Sequence, residues 1–430
     1  MNKPSSPSLL ERRYRLLGEN APLFYDEPLH IVRGEGVWLF DAAGRRFLDA
    51  YNNVPHVGHC HPRVVEAIAR QAATLNIHTR YLHENIVDYA ERLTATFDAP
   101  LAMALFACTG SEANDVAMQM ARLCTRRQGF IATEFAYHGN TTAVATISTE
   151  VIGSDARDPS VRTVPAPDAY RVPAGLDATN PGEAYARTVQ AAVDALEAEG
   201  TGVAGIIFDT IYSSDGLPTV PAGYVEQAIG IVRAAGGLYI ADEVQPGFGR
   251  MGDYFWGYQH YGVVPDIVTL GKPMGNGFPV SGVIARADLA QEFGRSRMYF
   301  NTFGGNPVSC AAGLAVLDVL EEEGLVAQAR EVGDYVQQGL RELERRHPLI
   351  GDVRGRGLFF AAELVRDPET LEPATDEAGR LVNAMRERGV LISRIGQHDN
   401  VLKMRPPMPF AREHADLLLS VLDDCLAGLS

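Results

Sequence analysis

The chain has 430 residues, of which 46% are hydrophobic and 21% charged, and its formal net charge is −16. That length calls for two domains on a shared core, and the balance of apolar and charged residues describes a soluble globular protein. The acidic excess excludes nucleic acid and anionic membrane as expected partners, so an anionic substrate must meet a locally basic pocket. The five cysteines, Cys60, Cys108, Cys124, Cys310 and Cys425, contain no C-x-x-C pair and point to free thiols in a reducing compartment. The N-terminal stretch carries charges where a signal peptide needs an apolar core, and no run reaches membrane-spanning length. A cytoplasmic protein is expected.

Residues 1–27 are polar and Pro-containing and read as an arm packed on a neighbour. Residues 29–33, 37–40 and 46–49 read as a small antiparallel sheet, with turns at Gly34-Glu35-Gly36 and Asp41-Ala42-Ala43-Gly44. Helices are expected at 62–75, opened by Pro62, and at 84–97. Between sheet and helix, His56, His59, Cys60 and His61 invite a metal reading. Their spacing matches no zinc pattern, so no metal is expected and the stretch reads as a turn lining a cleft.

From residue 101 strands and helices alternate, the mark of a doubly wound sheet. A buried strand at 103–107 runs through Cys108-Thr109-Gly110-Ser111-Glu112-Ala113-Asn114 into a helix ending near Arg126. A Gly-Ser turn opening a helix offers free N–H groups and a positive dipole end to a phosphate. It is equally a plain N-cap with a capping acid, and the two readings are compatible. The strand at 129–132 ends near Tyr137-His138-Gly139, an aromatic pair able to stack on a flat ring. Residues 151–182, rich in Pro, Asp and Ala, read as a surface excursion. A helix at 183–199, a strand at 203–208 ending at Asp209, and a helix at 221–235 follow.

The stretch from Gly237 to Gly277 organises the rest. Its two short apolar runs, 238–241 and 266–270, read as buried parallel strands, and each ends in a charge: Asp242-Glu243 and Gly271-Lys272. Parallel strands present their carboxyl ends at one edge, where ligands bind, so Asp242 and Lys272 are expected in one pocket. A lone strand-end lysine is ordinarily a solvated charge. Glycines around this one admit a ligand, and a buried Asp partner points to a Schiff-base lysine of pyridoxal 5′-phosphate, with Asp242 against the ring nitrogen. Gly247-Phe248-Gly249-Arg250-Met251-Gly252 spells the dinucleotide fingerprint, but it does not join a strand to a helix, and that reading is rejected. A strand at 280–285 closes the sheet. Helices at 307–322 and 325–346 follow, then a unit of strand 358–365, helix 377–389, strand 401–404 and helix 411–428.

Six stretches together carry a family resemblance: Gly110-Ser111-Glu112-Ala113-Asn114, Tyr137-His138-Gly139, Asp242-Glu243-Val244-Gln245, Gly247-Phe248-Gly249-Arg250, Gly271-Lys272-Pro273 and Thr302-Phe303-Gly304-Gly305-Asn306-Pro307. In this order and spacing the chain resembles class III PLP-dependent aminotransferases of fold type I over essentially its whole length. The resemblance implies an α/β fold with a doubly wound, mostly parallel sheet in a large domain and a small α+β domain built from both chain ends. The expected divisions are 1–55 (arm and small-domain sheet), 56–310 (large domain) and 311–430 (remainder of the small domain). It also implies Lys272 as Schiff-base lysine and proton shuttle, Asp242 at the ring nitrogen, Val244 and Tyr137 on the two ring faces, His138 beside Tyr137, and Gln245 near the ring hydroxyl. Gly110 and Ser111 hold the cofactor phosphate on this reading. Thr302 completes that site from a neighbouring subunit, in a homodimer or a tetramer of dimers with shared active sites.

A narrower resemblance, carried by 52–62, 79–87, 272–277 and 306–310, is to the alanine–glyoxylate aminotransferase-like branch that includes ethanolamine-phosphate phospho-lyases. It implies elimination of phosphate from O-phosphoethanolamine, giving acetaldehyde and ammonia, or from a similar phosphorylated amino alcohol; the alternative is amino transfer from amines or ω-amino acids to a keto acid. Arg80, Lys403 and Asn53 are the candidates for the substrate phosphate, Lys403 standing where family transaminases carry a carboxylate-binding Arg. Asp209-Thr210-Ile211-Tyr212-Ser213 departs from the family's Glu-Pro-Ile-Gln-Gly, which leaves the role of Asp209 open.

Overall fold

The computed structural model describes residues 8–151 and 158–429. Residues 1–7 of the expected arm and 152–157 of the expected excursion lie outside the described residues.

The largest sheet runs, edge to edge, through Leu101–Ala107, Ser281–Arg286, Ile267–Leu270, Leu238–Asp242, Val203–Asp209, Gly129–Thr133 and Val161–Val164. The last five are parallel. Ser281–Arg286 runs antiparallel to both of its neighbours. The ten residues between Leu270 and Ser281 are too few for a parallel crossover, so the returning strand reverses direction. The inner strands are continuous apolar runs because both faces are covered. Ile207, Ile240 and Ile267 meet the helix Gly110–Thr125 on one face, while Tyr239, Ala241 and Val268 meet the side of Pro181–Ala198 and Tyr224–Ala234. Each fully buried Ile contributes about 1.5–3 kcal/mol of burial.

Leu101–Ala107 is an edge strand rather than the buried one expected: Met103 is 37% exposed. Its hydrophobic run was indistinguishable from an inner strand by composition. Several elements were not expected at all. The helix Leu9–Leu17 is capped by a Ser8–Glu11 box and buries none of its residues. Val161–Val164 forms the far edge of the large sheet from within the Pro-rich excursion. The helix Ala287–Ser296, the strand Ile350–Arg356, the short helix Thr142–Ala145 and the short strands Glu372–Pro373, Val390–Leu391 and Ser393–Ile395 were unexpected too.

Ile31–Glu35, Trp38–Asp41 and Arg46–Asp49 form the expected antiparallel sheet, and Val390–Leu391 joins it in parallel beside Arg46–Asp49. A further sheet contains Ile350–Arg356, Phe359–Asp367, Val401–Met404 and Ser393–Ile395. Helices Leu325–Arg346 and Thr375–Glu387 pack on it. Among the described residues no helix is long and apolar enough to cross a membrane.

Candidate active site

Register brings the charges together. Across the parallel strands Asp209 pairs with Asp242, and Asp242 with Thr269, so their ends share the carboxyl edge of the sheet. Lys272 follows two residues after Leu270, at the start of a tight turn Lys272–Gly275. Asp209, Asp242 and Lys272 line one cavity of about 140 Å³ with Gly110, Ser111, Tyr137, His138, Gly139, Val244 and Gln245. The two strand-end charges read from the sequence therefore meet in one pocket.

Asp242 is held from three directions. Oδ2 accepts from His138 Nδ1 at 2.7 Å and from Asn114 Nδ2 at 3.0 Å, and Oδ1 accepts from the Val244 N–H at 3.0 Å. His138 is thus turned onto the carboxylate rather than laid against a ring face; its Nε2 is buried without a protein partner. Asn114 escaped the sequence reading, although its position four residues after Gly110 puts it one turn into the same helix, on its inward side.

Lys272 is half-buried, and desolvation of its amine together with the charge of Arg405 pulls it down to about 8, against the opposing pull of Asp242 and Asp209. Arg405, also missed, is 7% exposed. Its Nη1 donates to Gln245 Oε1, its Nε to the Tyr51 carbonyl at 3.1 Å, and its Cζ lies 4.7 Å from the centre of the Tyr51 ring. The sequence assigned it no role, because its partners Tyr51 and Gln245 are distant in the chain.

At the opposite end, Thr109 caps the helix Gly110–Thr125 and Glu112 closes the capping box. The Gly110 and Ser111 N–H groups have no acceptor among the described residues, as an anion seat requires. A Cβ at Gly110 or at Gly271 would come within 3.2 Å of Val244, so Val244 rests on two glycines as the floor of the cavity. Tyr137 is 37% exposed at its open side. A flat, phosphorylated pyridine aldehyde fits this arrangement: an amine of depressed pKa, an oriented carboxylate, a helix N-terminus and two opposed apolar walls.

The substrate-phosphate candidates divide. Lys403 is 4% exposed, and its Nζ donates to the Ser213 carbonyl at 3.3 Å. Burial first, then Arg405, hold its amine well below the ordinary lysine range. Asp209 answers the question left by the family's Glu: its carboxylate accepts from the Ile211 and Ser213 N–H groups and the Ser213 hydroxyl, shaping the turn that offers Ser213 O to Lys403. Burial and nearby Asp242 raise its pKa. Asn53 is fully buried with neither side-chain polar atom partnered by protein. Arg80 and Thr302 are exposed, and none of Lys403, Asn53, Arg80 and Thr302 lines the Lys272 cavity itself. Arg80 lies 4.1 Å over the Phe300 ring.

The histidines of the 52–61 stretch face separate partners: His56 bridges Phe248 O and Arg250, His59 pairs with Asp49 at 2.7 Å, and His61 with Glu323 at 3.0 Å. The glycines of the rejected dinucleotide fingerprint serve packing. Gly249 and Gly252 have φ of 74° and 81°, and a Cβ there would strike Val326 at 2.4 Å and the Arg330 backbone at 2.7 Å.

Sheet, lysine, carboxylate and phosphate seat define a PLP-dependent enzyme of fold type I. A family model, Aminotransferase class-III, matches residues 24–426, and the chain belongs to that family. It is 42% identical to "Alanine--glyoxylate aminotransferase 2-like" of Drosophila melanogaster, across 99% of this chain and 88% of that protein. It is 39% identical to "Ethanolamine-phosphate phospho-lyase homolog 1" of Caenorhabditis elegans, across 98% and 94%. Among solved structures, a phospholyase from Arthrobacter in complex with phosphoethanolamine superposes with a TM-score of 0.95 at 49% identity, covering 98% of this chain and 100% of its own. An amine transaminase from an uncultivated Pseudomonas species, in its PLP-bound form, gives 0.86 at 29% identity over 100% and 99%. The cofactor of this chain is pyridoxal phosphate.

Proposed function

We propose that the chain is a phospho-lyase acting on O-phosphoethanolamine or a similar phosphorylated amino alcohol. The observation that carries this reading is Lys403: a buried amine donating to one carbonyl, with no carboxylate in ion-pair contact among the described residues, so that an arriving anion favours its charged form. A point charge with donors to spare beside the reactive amine suits a phosphate. The phosphoethanolamine complex of the Arthrobacter phospholyase supports the same substrate class.

Bound pyridoxal phosphate supplies the electron sink. Asp242, fixed by His138 and Asn114, holds the charge that keeps the ring nitrogen protonated. Lys272 Nζ, with its depressed pKa, takes the proton from the carbon beside the substrate nitrogen. Lys403 and Asn53 hold the phosphate on the next carbon as it departs with the C–O electron pair. Water then releases acetaldehyde and ammonia. We also propose that a second copy covers the exposed apolar face around Tyr81, Leu82, Met298 and Phe303, so that Thr302 and Arg80 serve the partner's cavity.

Amino transfer to a keto acid is the second reading, favoured by the Drosophila melanogaster relative. The deciding assay follows inorganic phosphate from O-phosphoethanolamine with no keto acid present. A lyase gives stoichiometric phosphate and acetaldehyde through many turnovers. A protein that releases no phosphate, yet turns over amines once a keto acid is added, is a transaminase.

A further inference from the structure

Arg405 is a buried cation joined to the cavity wall through Gln245, and neither the fold nor the cofactor accounts for it. Three contacts lock it: the Tyr51 carbonyl at Nε, Gln245 at Nη1, and the Tyr51 ring against its plane. No carboxylate pairs with it among the described residues, and its Nη2 has no acceptor there. The buried Arg354, by contrast, is surrounded by Asp168, Asp352 and Glu363. A desolvated guanidinium with no counter-charge is costly, and its cost is relieved when an anion arrives.

The neighbours say which anion. Arg405 stands two residues after Lys403, so both side chains leave the same face of the chain as the strand Val401–Met404 ends, and Arg405 reaches the cavity-lining Gln245. A phosphate monoester carries a charge near −2 at neutral pH. Lys403 supplies at most one positive charge, since burial disfavours its charged form, and Asp209 offsets part of it. The cofactor's own phosphate belongs at the far end, on the Gly110 and Ser111 N–H groups. A second cation on the Gln245 side therefore has no resident anion to serve.

Resting on the phospho-lyase reading, we propose that Arg405 grips the substrate phosphate together with Lys403 and sets the preference for a doubly charged leaving group. Its planar fork, already oriented by Tyr51 and Gln245, presents a free N–H where Lys403 presents an ammonium.

The test uses the cofactor-loaded wild type, Arg405→Met and Arg405→Lys, each checked for loading by cofactor absorbance. Phosphate release from O-phosphoethanolamine gives kcat and KM. Single-turnover absorbance gives the reaction with ethanolamine, and inorganic phosphate is titrated as a competitor of ethanolamine. In Arg405→Met, kcat/KM for O-phosphoethanolamine relative to ethanolamine is expected to fall more than tenfold, carried mainly by KM. The inhibition constant of inorganic phosphate rises in parallel, and Arg405→Lys recovers part of both. Equal losses for the two amines, or phosphate competition unchanged from wild type, overturn the assignment. A wild type that releases no phosphate refutes the lyase reading instead. The competition against ethanolamine still decides whether Arg405 binds phosphate.

Discussion

The wild-type apoprotein is expected to take up pyridoxal phosphate with a rate that rises through a midpoint near pH 8, where an ordinary lysine titrates at 10.5. The fold lowers the amine's pKa, so the neutral nucleophile gains population at lower pH. At pH 7.5 an amine of pKa about 8 is roughly one-quarter neutral, whereas an unperturbed lysine is about one part in a thousand neutral, a difference of ~250-fold. Desolvation is the main cause and Arg405 the next, with Asp242 opposing both. Arg405→Met removes a like charge and moves the midpoint up. Asp242→Asn removes an opposite charge and moves it down. Stopped-flow absorbance across a pH series with apoprotein reads the midpoint directly. A wild-type midpoint near that of free lysine, or a downward move in Arg405→Met, refutes the electrostatic argument.

Asn114→Leu leaves Asp242 Oδ2 and the His138 carbonyl each short of a donor, a loss of about 1–3 kcal/mol. It is expected to speed cofactor loss on dialysis ~5- to 100-fold; retention equal to wild type would remove Asn114 from the support of Asp242. Gly139→Ala places a Cβ 2.4 Å from Ser111 Oγ and must displace that residue. Equilibrium titration should then show weakened binding of pyridoxal phosphate but little change for unphosphorylated pyridoxal, and equal weakening of both would exclude a phosphate role for Ser111. Arg250→Met unpairs the carbonyls of Leu358 and Pro406 as well as His56 Nδ1, and is expected to lower unfolding free energy by about 2–4 kcal/mol. A urea midpoint unchanged from wild type contradicts that.

What was legible in the sequence was whatever obeyed a period or ended abruptly. The runs before Asp242 and Lys272 are apolar because both faces of the sheet are covered, and a charge at each end could only mark the rim. What hid was polarity placed inside by pairing. Ile350–Arg356 reads as a surface loop, with two arginines, an aspartate and two glycines in seven residues, yet Arg354 is buried against Glu363. Val161–Val164 is short and flanked by Pro159 and Pro165, so it reads as coil until the sheet edge pairs it. Arg405 and Asn114 matter through partners distant in sequence, Gln245 and Asp242, which no local pattern announces. His138 was found but read for its ring, when its Nδ1 was the operative atom.

Val390–Leu391 lies beside Leu48–Asp49 in parallel, so the two partners are separated by roughly 340 residues of chain. At about 5–20 residues per second, a ribosome takes about 20–70 s to deliver the second after the first. For that interval the strand Arg46–Asp49 lacks its parallel partner, and its edge is unpaired on that side. Lys403 and Arg405 follow Leu391 in the chain, and the Arg405 N–H bonds the Ala50 carbonyl at 2.8 Å beside the same junction. The position of Arg405 is therefore fixed only once these two distant stretches of chain have met.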